Sequence, residues 1–220
     1  MSLKLAVLID GGFLKTRVRR WIRESKKSDD DAHSLILEFT RAISTHPLLR
    51  GYLLYRVFFY DGKPIENKKT KPLGGGIIDF KDTEEFHKSK ELLKQLGNIP
   101  YVASRLGETK FRGWKIKPKK FKTKPEISEI VVKADDLRPQ ILQKGVDMRI
   151  GLDIAALSLK QFVDVLVLVS GDSDFVPALK FARTEGRQII LFTLGQRITQ
   201  EFKTHADICV EDTLGDIMEP

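Results

Sequence analysis

The run Leu5-Ala6-Val7-Leu8-Ile9 has no polar side chain on either face of a strand, and it stops at Asp10-Gly11-Gly12. Successive strand residues point to opposite sides of a sheet, so a strand apolar on both sides needs cover on both sides. Residues 52–60, 163–169 and 189–192 repeat the pattern, interrupted only by Arg56 and Asp164. Between these runs, Leu35, Ile36, Phe39 and Ile43 recur at helical spacing, as do Phe175, Ala178, Leu179 and Ala182. Phe13 to Trp21, Thr83 to Leu96 and Val146 to Leu159 also read as helices, with a short helix over 199–203 and a last strand over 208–210. Strands alternating with helices predict an α/β chain, a three-layer α/β/α stack around a central, mostly parallel sheet.

The 220 residues suffice for one sizeable α/β domain, and a single domain over 1–220 is expected. Residues 63–80 look irregular. The rhythm also breaks over about 99–132. There Pro100-Tyr101-Val102 begins a strand, Leu106-Gly107-Glu108-Thr109 has turn chemistry, and a basic stretch follows. This segment is too short and too charged for its own core, so it reads as an inserted β-hairpin or loop.

In open parallel sheets, ligands gather at the carboxyl ends of the strands. Asp10 stands at the first such end, and Ser170-Gly171-Asp172-Ser173-Asp174 follows the 163–169 run. Asp61 follows the second strand, but Asp61-Gly62 reads better as an ordinary turn. The helix over 146–159 is apolar around nearly its whole circumference and is therefore expected to be buried. It nevertheless carries Asp147 and Asp153. Asp147 suits a helix start, as an N-cap or a first-turn acid beside the dipole. Asp153 in the helix body needs either Arg149, one turn back, or a cation. Asp172 or Asp174 has an ordinary alternative as a helix cap, with Pro177 in the first turn. Taken together, Asp10, Asp147, Asp153, Asp172 and Asp174 offer hard oxygen ligands, which suit Mg²⁺ or Mn²⁺ and not zinc. A metal among clustered carboxylates supports hydrolytic phosphoryl transfer.

Leu8-Ile9-Asp10-Gly11-Gly12-Phe13, Gln143-Lys144-Gly145-Val146-Asp147 through Gly151-Leu152-Asp153, and Leu168-Val169-Ser170-Gly171-Asp172-Ser173-Asp174-Phe175-Val176-Pro177 followed by Gly186 resemble NYN domains of the LabA-like group. The resemblance covers residues 3–18, about 50–62 and about 140–211. It implies a PIN-like fold and a ribonuclease supported by Mg²⁺ or Mn²⁺. By motif position it makes Asp10, Asp153, Asp172 and Asp174 the catalytic, metal-site carboxylates, with Asp147 as a further acidic member. Ser170 and Ser173 would orient ligands or phosphate. Residues 63–135 depart from the family pattern, which leaves substrate choice open.

The formal net charge is +8, and its clustering points to a polyanionic partner. Residues 110–124 hold Lys110, Arg112, Lys115, Lys117, Lys119, Lys120, Lys122 and Lys124 with no acid, interleaved with Phe111, Trp114 and Phe121. Cations neutralise phosphates and aromatic faces stack bases, so Lys110, Arg112, Trp114, Lys115, Lys117, Lys119 and Lys120 are the expected nucleic-acid contacts. The ordinary alternative is a solvated basic loop. Single-stranded RNA is the expected partner, because a carboxylate pocket must admit the scissile phosphate. A homodimer is an open alternative.

One cysteine, Cys209, excludes an internal disulfide and a thiolate metal cluster. No apolar stretch is long enough to span a membrane, no signal-peptide core precedes Asp10, and a cytoplasmic location is expected. Gly74-Gly75-Gly76 lacks the Lys-Ser or Lys-Thr of a phosphate-binding loop. Two other functions remain: a catalytically silent RNA-binding or regulatory module, and a Mg²⁺ phosphatase on small phosphates. The phosphatase is disfavoured because Gly12, not an aspartate, stands two residues after Asp10.

Overall fold

The computed structural model describes residues 2–25, 28, 32–118 and 130–218. In chain order they form β1 (Lys4–Asp10), α1 (Gly11–Ser25), α2 (Ala32–Ala42), β2 (Leu53–Gly62), β3 (Lys68–Thr70), β4 (Ile77–Asp79), α3 (Glu84–Gly97), β5 (Val102–Ile116), β6 (Leu137–Lys144), α4 (Val146–Leu159), β7 (Val165–Val169), α5 (Val176–Thr184), β8 (Gln188–Phe192), α6 (Gln200–Thr204), β9 (Ile208–Val210) and α7 (Leu214–Met218). Seven strands make the central sheet in the order β6-β5-β2-β1-β7-β8-β9. Every pairing is parallel except that of β6 with β5.

The apolar runs explain the layering. Leu5, Val7 and Ile9 of β1 pack with Val165, Val167 and Val169 of β7 under α1, α2 and α3. Ala6 and Leu8 pack with Leu166 and Leu168 on the other side, under α4 and α5. All five residues of β7 are buried, and full burial of such a side chain contributes ~1.5–3 kcal/mol. The helices on both faces supply the cover that the two-sided apolar strands require.

Strand order also locates a crevice. From β1 the chain builds outward through β2 and β5, then returns to lay β7, β8 and β9 on the other flank. The order reverses between β1 and β7, and ligands in such sheets sit beyond the strand ends at that reversal.

Three expectations change. Leu106 to Thr109 is not a turn, because β5 runs straight through it. Its first half, Val102–Gly107, lies parallel to β2 in the main sheet, and Glu108 onward pairs antiparallel with β6. Gly107 sits at this change of partner, where a Cβ would come within 2.7 Å of the Lys144 carbonyl oxygen and of Val146 Cγ2. Residues 63–80 are not wholly irregular, since β3 and β4 form a small antiparallel pair with Lys68 opposite Asp79. Finally, α4 is not buried all round. Val146, Ile150, Ile154 and Leu157 are buried, but Met148, Leu152 and Leu159 are 60–70% exposed. The sheet and α5 cover only one side of it.

Candidate active site

β1 delivers Asp10 to the crevice, and the backbone then turns directly into α1. The turn is tight: a Cβ on Gly11 would lie 2.5 Å from the Tyr60 carbonyl oxygen. The Phe13 N–H donates to Asp10 Oδ1 at 3.0 Å, and the Ser170 hydroxyl donates to Oδ2 at 3.3 Å. Ser170, fully buried just beyond β7, also accepts from the Asp172 N–H at 3.2 Å. One hydroxyl therefore ties the ends of β1 and β7 together.

Burial raises the Asp10 carboxyl above the ordinary aspartate range, against the lowering effect of the Phe13 and Ser170 hydrogen bonds, and the neighbouring Asp147 carboxylate raises it further. Asp147 is itself raised, first by burial and then by repulsion from Asp172 and Asp174. Four carboxylates therefore share one field, and the field is short of positive charge.

Each also has a local role or position. Asp172 Oδ1 accepts the Asp174 N–H at 3.0 Å and so caps the 3-10 turn Ser173–Phe175, with Pro177 in the opening turn of α5. This is the capping role that the sequence left open for it. Gly145, with φ 71°, holds the N-cap of α4, and Asp147 stands in its first turn, the other position the sequence offered it. Asp147 and Asp174 both line a shallow hollow of about 440 Å³, together with Met148, Leu152 and Phe175. Among the described residues neither Asp147 nor Asp174 has a cationic partner.

Asp153 stands apart. It accepts from Arg105 Nε at 2.8 Å and Nη2 at 2.5 Å, and from the buried Tyr60 hydroxyl at 2.8 Å. Burial and the adjacent carboxylate push the Tyr60 phenol up, so it stays a donor. The helix-spacing partner Arg149 turns away and donates to the Gly145 carbonyl at 2.9 Å. The compensation that Asp153 required comes from the Arg105 guanidinium of β5 and the Tyr60 hydroxyl of β2, not from Arg149 of its own helix. Among the described residues, no three His, Cys, Asp or Glu side chains stand close enough together to hold a metal as they are.

Asp61 is more than the turn residue expected. It is 2% exposed and forms an ion pair with Lys15 of α1. Its Oδ1 accepts from the Gly62 N–H at 2.9 Å and from Gln143 Nε2 of β6 at 3.0 Å. The usable signal was the one that singled out Asp10, an acid directly after an apolar strand. Asp61 floors a cavity of about 940 Å³ bounded by α1, α2, α3 and the β5–β6 pair.

The basic aromatic stretch divides. A bulge between Phe111 and Trp114, with Gly113 at φ 108°, sets these two rings opposite Ile141 and Pro139. Phe111 packs on Phe80, and its ring contacts Trp114 edge-on at 5.5 Å. The Trp114 indole donates to the Thr70 carbonyl at 3.0 Å. These aromatics therefore anchor β3 and β4 to β5. Lys110, Arg112, Lys115 and Lys117 are exposed, while Lys119, Lys120 and Phe121 lie outside the described residues.

The NYN domain family matches residues 77–212. Among curated proteins, none matches the chain. Two solved structures align over most of it. A protein of unknown function from Vibrio parahaemolyticus RIMD 2210633 is 16% identical, with 95% of this chain and 92% of that one covered and a TM-score of 0.47. A structure from work on the mechanism and regulation of Sir2 enzymes is 12% identical, with 99% and 89% covered and a TM-score of 0.38. Similarity at this level bears on neither fold nor function. No helix among the described residues is long and apolar enough to cross a membrane.

Proposed function

The chain belongs to the NYN domain family, which is PIN-like, and from that premise we propose that it is a Mg²⁺- or Mn²⁺-dependent endoribonuclease acting on single-stranded RNA. The observation that carries the reading is the position of Asp10, beyond β1 and bonded to Ser170 beyond β7, beside Asp147, whose carboxyl is repelled in turn by Asp172 and Asp174. The part of the rise at Asp10 and Asp147 that comes from neighbouring carboxylates reflects local negative potential, which a cation would relieve. The donor set is all oxygen, which suits a hard cation, and Mg²⁺ is commonly held by one or two carboxylates with waters and substrate phosphate completing its shell. A closed set of three protein ligands is therefore not required.

In this reading one or two of Asp10, Asp172 and Asp174 would hold the cation, with waters completing its shell and Asp147 adding negative field. The cation supplies Lewis acidity toward the phosphodiester and its attacking water. The Phe13 N–H and the Ser170 hydroxyl fix the two oxygens of Asp10, and Ser170 sets the start of the loop that carries Asp172. Asp153 acts at one remove: with Arg105 and Tyr60 it locks α4, and hence Asp147, to β2 and β5.

A second reading, a silent RNA-binding module, is favoured by the lack among the described residues of three ligating side chains in one cluster. The separating assay uses end-labelled single-stranded RNA with Mn²⁺ or Mg²⁺, and small phosphate esters in parallel. Cleavage of RNA lost in Asp10→Asn, in Asp172→Asn and on chelation supports the nuclease. RNA binding without cleavage in either metal refutes it in favour of the silent module. Turnover of the esters alone refutes it in favour of a phosphatase.

A further inference from the structure

The cavity above Asp61 is lined by five cations, Lys15, Arg19, Arg23, Lys63 and Lys88, against three acids, Asp61, Glu84 and Glu85, and lies beside the cluster of Asp10, Asp147, Asp172 and Asp174. Lys15, Arg19 and Arg23 reach its rim from successive turns of α1, Lys88 from α3, and Lys63 from the loop after β2. Asp61 holds Lys15, Lys63 pairs with Glu108 at 3.2 Å, and Lys88 pairs with Glu84 at 2.5 Å. Arg19 and Arg23 are exposed, and no acid pairs with either among the described residues. His33 on the rim reports the resulting field. Its imidazole is held below the ordinary histidine range, first by burial and then by Lys15, Lys88 and Arg19.

The cavity also adjoins the carboxylates. Gly12 lines it, and a Cβ on Gly12 would lie 3.3 Å from Asp10 Oδ1. The cavity's excess of cations thus adjoins the carboxylates at Gly12. The exposed lysines of the β5–β6 pair have no such connection, because the strands themselves turn Thr109, Ile141 and Gln143 into the cavity wall.

We infer that this cavity is the binding groove for the single-stranded RNA flank next to the cut, with Arg19 and Arg23 neutralising its phosphates. The exposed cations of Lys110–Lys117 are then peripheral. The inference rests on the ribonuclease reading for its ligand, but it is tested by binding and not by turnover.

The test measures anisotropy of a labelled oligouridine in chelator, as a function of salt, for the full chain, Arg19→Ala/Arg23→Ala and Lys110→Ala/Lys115→Ala. For single strands the slope of log affinity against log salt is about −0.7 per neutralised phosphate. Loss of two contacts should therefore flatten the slope by about 1.4 and weaken binding about tenfold or more at low salt. The outer-strand variant should change affinity by less than about threefold. All four residues are exposed, and unchanged circular dichroism and Tm confirm folding. An intact slope in the α1 variant overturns the inference, as does a larger loss in the outer-strand variant. RNA binding that depends on Arg19 and Arg23 without cleavage by the unsubstituted chain sinks the nuclease reading and leaves the groove standing. Metal-dependent cleavage at unchanged KM in Arg19→Ala/Arg23→Ala does the reverse.

Discussion

Replacing Arg105 by alanine removes both guanidinium contacts to Asp153 and leaves Tyr60 as the remaining donor to its carboxylate. The Asp153 side chain is 14% exposed and Arg105 is 47% exposed. The pair is thus intermediate between an open surface pair, which contributes ~0–1 kcal/mol, and a buried one, whose breakage costs ~3–5 kcal/mol. A loss of about 2 kcal/mol follows for Arg105→Ala, or roughly 4–8 °C in Tm for a chain of this size. Asp153→Asn keeps an acceptor for the Tyr60 hydroxyl but removes the charge, so it serves as the second arm of a double-mutant cycle. Urea or thermal unfolding of the two single variants and the double variant should give a coupling of about 1–2 kcal/mol. Additivity to within about 0.3–0.5 kcal/mol would show that the two residues do not act together. The claim that β5, not a metal, compensates Asp153 would then fail.

Asp10→Asn should stabilise the metal-free fold at neutral pH while removing metal-dependent cleavage. The Asp10 carboxyl is raised on folding, so the folded state binds the extra proton. The penalty is absent below the unfolded pKa, grows as pH rises toward the folded one, and is complete above it. Melting temperatures of Asp10→Asn and the unsubstituted chain should therefore differ more at pH 7 than below about pH 3, under the ordinary aspartate pKa of about 3.9. Gly11→Ala places a Cβ against the Tyr60 carbonyl and should lower stability by about 3 kcal/mol or more, read as a fall in the urea midpoint. Trp114→Ala loses the bond to the Thr70 carbonyl and the Phe111 edge contact, and about 2–3 kcal/mol with them. It should speed amide exchange at Thr70 and Ile77, and RNA affinity should fall less than in Arg19→Ala/Arg23→Ala.

The layering was legible because it is a local property. A strand apolar on both faces demands cover on both faces wherever it lies, and the spacing of Phe175, Ala178, Leu179 and Ala182 makes a helix in any surroundings. The placing of Asp10 and of the Asp172 loop beyond the carboxyl ends of β1 and β7 was legible for the same reason, since it follows from where the apolar runs stop. What the chain order left open was adjacency. The ends of β1 and β7 are 160 positions apart, and only strand order brings the Ser170 hydroxyl to Asp10. Asp153 shows the limit most clearly. Helix periodicity offers it Arg149, whereas the folded chain supplies Arg105 and Tyr60 from 48 and 93 positions away. Likewise, Asp61-Gly62 is a turn dipeptide until α1 and β6 close over it and bury its carboxylate beside Lys15 and Gln143. The sequence by itself determined which strands need cover on both faces and where acids follow them, because these follow from side-chain alternation and the cost of exposing apolar surface. The tertiary structure alone decided which charges compensate one another, because that depends on distances no sequence separation encodes.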